Sequence, residues 1–150
     1  MLTPKPIRSP RAMRGVGLIE VLIAVLVLAI GLLGVAAMQA AALRNSQSAL
    51  ERSQGVVNTY TILDAMRANV DVARNKGYDM PMTCTAPAAG DLAANDRRFW
   101  LQTLQANLGS AACGQIACDK NTSICTVTVQ WDETRTGGVP NQQFITTTRI

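Results

Sequence analysis

The sequence contains no histidine, which removes the commonest general base and a common neutral metal ligand from any mechanism. Aromatic residues make up 4% of a chain that is 48% hydrophobic, so the apolar content is mostly aliphatic. Acidic residues are missing from the first fifteen positions, where Lys5, Arg8, Arg11 and Arg14 carry four positive charges. Beyond them ten basic residues balance ten acidic ones, so the net charge of +4 belongs entirely to this leader. No basic patch interleaved with aromatics remains, and direct nucleic-acid binding is not expected. Proline is absent from positions 16 to 80, whereas Pro4, Pro6 and Pro10 bar a regular helix in the leader. No Ser or Cys nucleophile has an activating neighbour, no Gly-rich phosphate loop follows a strand, and Asp132-Glu133 reads as a pair beside a strand end facing a turn. The chain is expected to be no enzyme and to use no cofactor.

What is present begins with a long greasy run. Val21 to Met38 are eighteen successive residues without a charge or strongly polar group, enough to cross a bilayer core at about 1.5 Å per residue. Positive charges ahead of such a span favour a cytoplasmic amino terminus and a translocated remainder. Cys84, Cys113, Cys118 and Cys125 all fall in that remainder, where disulfides persist. The expected location is the inner membrane, single-pass, with a periplasmic head.

The order of leader and span is unusual. A secretory signal places its small-residue cleavage site after the apolar region. Here Arg14-Gly15 precedes it, so a cut after Gly15 leaves the apolar segment on the mature chain. Glu20 then poses a question, because a carboxylate at bilayer depth costs roughly 2.5–3.5 kcal/mol. Cleavage at Gly15-Val16 would create an ammonium four residues from Glu20, on the same chain or a neighbouring one, and that amine is its expected partner.

The stretch "RGVGLIEVLI", with Gly15 before the apolar run and Glu20 as fifth residue of the mature chain, resembles the class III leader of type IV pilins and pseudopilins. The continuation "LIEVLIAVLVLAIGLLGVAAMQ" is most similar to the minor pilins of the PilV type, the pilus modification proteins. The resemblance implies cleavage by prepilin peptidase between Gly15 and Val16, N-methylation of Val16, and an assembly role for Glu20. It implies other minor pilins and the major pilin as partners, and a part in pilus assembly, adhesion or twitching motility. Two positions depart from the family: the first mature residue is Val instead of Phe or Met, and Ala37 stands where many major pilins carry a helix-bending Pro.

After Met38, Leu43, Leu50 and Val57 recur every seven residues, and Val56, Tyr60, Leu63, Met66 and Val70 every three or four, which predicts one apolar face of a continuing helix. Arg44, Gln47, Glu51, Arg52 and Asn58 are assigned to the opposite side. The helix is expected to run from about Gly17 to about Arg74, with Gly55 tolerated in its interior. A stop and loop follow from Asn75 to Gly90. A second helix is predicted over Leu92–Leu108, with Trp100, Leu104 and Leu108 beside Phe99 and Leu101. Val127, Val129 and Trp131 alternate with Thr126, Thr128 and Gln130 in a half-buried strand, Phe144–Ile150 is a Thr-rich partner, and Gly114–Ala117 is a third strand. Asn121-Thr122-Ser123 fits a glycosylation sequon but reads as turn chemistry.

Four cysteines allow three connectivities. The preferred one pairs Cys118 with Cys125 across a hairpin and Cys84 with Cys113. A four-cysteine zinc site competes, but the spacing lacks paired C-x2-C knuckles, and no metal is expected. The fold class that emerges is α+β and pilin-like, a long N-terminal helix packed on a small antiparallel head. Its divisions are a leader (1–15), a transmembrane or filament-core helix (16–38), an amphipathic stem (39–75) and a disulfide-stapled head (76–150). Two other functions fit the same features: a minor pseudopilin of type II secretion, and an uncleaved single-span protein whose head binds a periplasmic partner.

Overall fold

Aliphatic residues without proline favour one uninterrupted helix, and in hydrocarbon only a helix satisfies every backbone group of a lone segment. The computed structural model describes residue 15 and residues 17–150, and in it helix α1 spans Leu18–Ala68. The chain divides into two units, one ending at Ala40 and the other covering Ala41–Ile150. In the first unit the apolar side chains of α1 are exposed all round, from Leu18 through Met38, and the helix is long and apolar enough to cross a membrane.

The second unit holds the head. Helix α1 stops at Ala68, and a short α2 (Val70–Arg74) begins beyond Asn69. The single helix expected to Arg74 is therefore interrupted at Asn69, whose φ of −124° and ψ of 50° leave the helical region. Its amide Nδ2 donates to the Tyr78 hydroxyl at 3.3 Å, while its backbone keeps bonds to Ala65 and Ala73. The stop after Arg74 is a Schellman motif: Lys76 takes a left-handed φ of 66°, its N–H bonds to the Ala73 carbonyl at 3.1 Å, and Gly77 N–H bonds to the Val72 carbonyl at 2.8 Å. Glycine is needed at 77 because an added Cβ would collide with Val72 Cγ1.

Four strands follow: β1 (Met80–Thr83), β2 (Cys113–Asp119), β3 (Ile124–Trp131) and β4 (Gln142–Arg149), forming one antiparallel sheet in the order β1-β2-β3-β4. The segment read as loop from Asn75 to Gly90 thus contains a strand, and the sheet has four strands instead of three. Pro81 lacks the N–H of a ladder residue, and β1 accommodates it by lying at the sheet edge with an irregular register against β2. Helix α3 (Leu92–Leu108) starts at the Asp91 cap, whose side chain accepts from Ala94 N–H at 2.8 Å.

Buried Ile62, Leu63 and Met66 of α1, Trp100, Leu101 and Leu104 of α3, Ile116 of β2 and Val127, Val129 and Trp131 of β3 form one hydrophobic core. Of the six aromatics, Trp100, Trp131 and Tyr78 are fully buried, so the scarce aromatic residues are spent at the centre of the head. Trp100 Nε1 donates to the Asn58 carbonyl at 2.9 Å, tying α3 to α1. Phe99, the neighbour of Trp100 on α3, is 65% exposed.

Candidate processing and assembly site

The amino-terminal site is built by the first turn of α1. Gly17 supplies the carbonyl that receives Glu20 N–H at 3.0 Å and Val21 N–H at 3.3 Å. A carboxylate in the first helical turn suits the positive end of the helix dipole. Glu20 is exposed, forms no salt bridge among the described residues, and lines an open apolar groove with Val21, Ala24, Val25 and Leu28. Gly15 is exposed. Val16 and the leader 1–14, including its basic residues, lie outside the described residues.

The stem corrects the sequence reading in a way that bears on assembly. Leu43, Leu50, Val57 and Tyr60, expected to face the head, are exposed at 66, 60, 56 and 53%. The face that meets the head is Gly55, Asn58, Thr59, Ile62, Leu63 and Met66, of which only Leu63 and Met66 belong to the expected apolar face. Seven-residue spacing located a real row, but a second row, containing two polar residues and a glycine, is the buried one. Asn58, assigned to the outer side, is 2% exposed and its amide donates to the Gln54 carbonyl at 2.8 Å, while Thr59 Oγ1 bonds the Gly55 carbonyl at 2.9 Å. An added Cβ at Gly55 would lie 3.4 Å from the Trp131 ring, so this glycine borders a close helix-to-sheet contact.

Arg52 also turns toward the head. Glu133, read as facing a turn, is 1% exposed and accepts from Arg52 Nε and a second guanidinium nitrogen, each at 3.1 Å, and from Ser48 Oγ at 2.6 Å. Bonds from Arg52 and Ser48 hold the Glu133 carboxyl below the usual carboxylate range despite burial. An added Cβ at Gly138 would stand 2.8 Å from Glu133 Cβ, so glycine keeps this pocket open.

The head is locked at three further places. The disulfides are Cys84–Cys113 and Cys118–Cys125; the second joins residues paired directly across the β2–β3 hairpin. Tyr78 donates to Asp96 at 2.6 Å, and its hydroxyl is pushed up to about 12 by burial and by that carboxylate. Among the described residues no group of His, Cys, Asp or Glu is arranged to hold a metal ion.

Residues 10–36 match the family model described as the prokaryotic N-terminal methylation motif. Neither curated proteins nor solved structures gave a match to the chain. The matched span contains the junction Gly15-Val16, Glu20 and most of the apolar run. The motif implies processing by prepilin peptidase and membrane anchoring through the apolar helix. The chain thus carries the class III prepilin methylation motif of pilins and pseudopilins ahead of a pilin-like α+β fold.

Proposed function

We propose that the chain is a minor pilin of the PilV type, cut by prepilin peptidase between Gly15 and Val16, methylated on the new Val16 amine, and incorporated into a type IV pilus or its priming complex. The observation that carries this reading is Glu20: an exposed carboxylate in the first turn of an apolar helix, at the fifth position after the proposed cut, with no salt-bridge partner among the described residues. Another subunit's amine satisfies it only once the leader is gone. The exposed row Leu43, Leu50, Val57 and Tyr60 supports the reading, because it extends the apolar surface of α1 beyond the membrane span toward packing with other subunits.

Before processing, the chain sits in the inner membrane with its amino terminus cytoplasmic and its head periplasmic. Afterwards other minor pilins and the major pilin cover the helix, and the head contributes to pilus assembly, adhesion or twitching motility. The test compares cells with and without prepilin peptidase. The reading expects a shorter membrane-bound form and recovery in sheared filaments only when the peptidase is present.

A further inference from the structure

The two edges of the head sheet are treated differently. Strand β1 is short, contains Pro81 and has an irregular register, three devices that discourage pairing with another strand. Strand β4 has none of them. It runs for eight residues, pairs continuously with β3, lacks proline and lysine, and carries a single charge, Arg149.

The direction of its backbone groups follows from the ladder. Gln142 to Arg149 pair with Trp131 to Ile124 in unbroken register, and Ile150 N–H bonds to the Ser123 carbonyl at 2.9 Å. In an antiparallel pair, residues whose groups point to the partner alternate with residues whose groups point away. Those pointing to β3 are therefore Gln142, Phe144, Thr146 and Thr148. Gln143, Ile145, Thr147 and Arg149 direct N–H and C=O away from the sheet, and among the described residues none has a backbone partner on that side.

We propose that this free edge of β4 docks an extended segment of a different polypeptide, which adds as a fifth strand and sets a carboxylate against Arg149. Such an edge is matched by extended backbone, which meets each outward donor and acceptor in turn. Side chains then choose the occupant. Arg149 is exposed and has no carboxylate within ion-pair distance among the described residues. A second copy pairing through its own β4 offers none either, because β4 contains no acidic residue and both arginines stay unmatched. Ile145, 58% exposed on the same row, asks for an aliphatic or β-branched neighbour across the strand. The proposal concerns the head unit and does not depend on leader cleavage or filament entry.

The probe is a fluorescein-labelled octapeptide, Asp-Thr-Thr-Thr-Val-Thr-Gln-Thr, whose antiparallel addition places Asp opposite Arg149 and Val opposite Ile145. Titrated against the full chain in detergent micelles, it is expected to bind saturably and to slow amide exchange within Gln143–Arg149. Thr147→Pro removes an outward N–H without breaking a β3–β4 bond and should weaken binding at least about tenfold, a loss of about 1.4 kcal/mol or more. Ile145→Lys serves the same purpose should the proline variant fail to fold. Arg149→Gln, or a peptide with Lys in place of Asp, should also bind more weakly. Absence of saturable binding, or binding unchanged by the edge variants, overturns the proposal. So does concentration-dependent protection of the same amides without peptide, which would assign the edge to a second copy.

Discussion

Arg52 on the stem helix and Glu133 after β3 are 81 residues apart in sequence and joined by two hydrogen bonds of 3.1 Å. The pair is unequal: the Arg52 side chain is 59% exposed, whereas that of Glu133 is 1% exposed. Arg52 keeps much of its hydration, while Glu133 has given up nearly all of its own and depends on Arg52 and Ser48. Removing a partner therefore costs more than the surface ion pair is worth, because a buried carboxylate is left short of donors.

Glu133→Gln keeps the shape and loses the charge-assisted bonds, and is expected to destabilise the head by about 1–3 kcal/mol. Urea unfolding of the full chain in detergent, followed through the buried Trp100 and Trp131, measures it. Arg52→Ala should shift the same transition in the same direction, and Arg52→Lys should restore only part of the loss because one ammonium cannot reproduce the two-point contact.

The same carboxylate sets a pH dependence. Its folded value lies below the ordinary value of about 4.3, so on acidification the unfolded chain binds a proton first. The contribution of Glu133 is thus fully present above the unfolded value and declines as pH falls through the folded one. Stability should drop on going from about pH 5 toward pH 3, and Glu133→Gln should flatten that slope. An equal slope in the variant would assign the acid sensitivity to other carboxylates.

The two disulfides close loops of different size, with separations of 29 and 7 residues. On the chain-entropy model the longer loop is worth about 1 kcal/mol more. Replacing Cys84 and Cys113 by Ser should therefore lower the unfolding midpoint further than replacing Cys118 and Cys125. Non-reducing peptide mapping of the native chain should recover the pairs Cys84–Cys113 and Cys118–Cys125.

Glu20→Ala leaves the junction Gly15-Val16 and the apolar span untouched. The precursor should insert and be shortened as usual but be poorly recovered in sheared filaments. Normal recovery would remove the amine-pairing role while leaving the processing step standing.

Local patterns and the preferred disulfide connectivity, Cys84–Cys113 and Cys118–Cys125, were legible in the sequence, whereas the packing of stem against head was not. The span from Val21 to Met38 is homogeneous, and the predicted bounds of α3 coincide with the observed Leu92–Leu108, because its buried residues recur at helical spacing and Gly109 ends it. The alternation of Val127, Val129 and Trp131 identifies β3 in the same way. Strand β1 escaped because Pro81 argues against a strand and only the edge position makes it tolerable. The stem face was misassigned because Leu43, Leu50 and Val57 outweigh Gly55, Asn58 and Thr59 on any hydropathy scale, although the latter row lets the helix approach Trp131 and Trp100 closely. Nothing local marks Arg52 and Glu133 as partners; only the return of the chain after β3 brings them together. At the amino terminus the methylation motif that residues 10–36 match was readable because it is contiguous and depends on spacing alone.

The most direct measurement is the mass of the native chain isolated from cells with active prepilin peptidase. The account predicts a polypeptide that begins at Val16 and is heavier by one methyl group, with residues 1–15 gone. A fully functional chain that retains Met1 or its Arg14-Gly15 junction would contradict it.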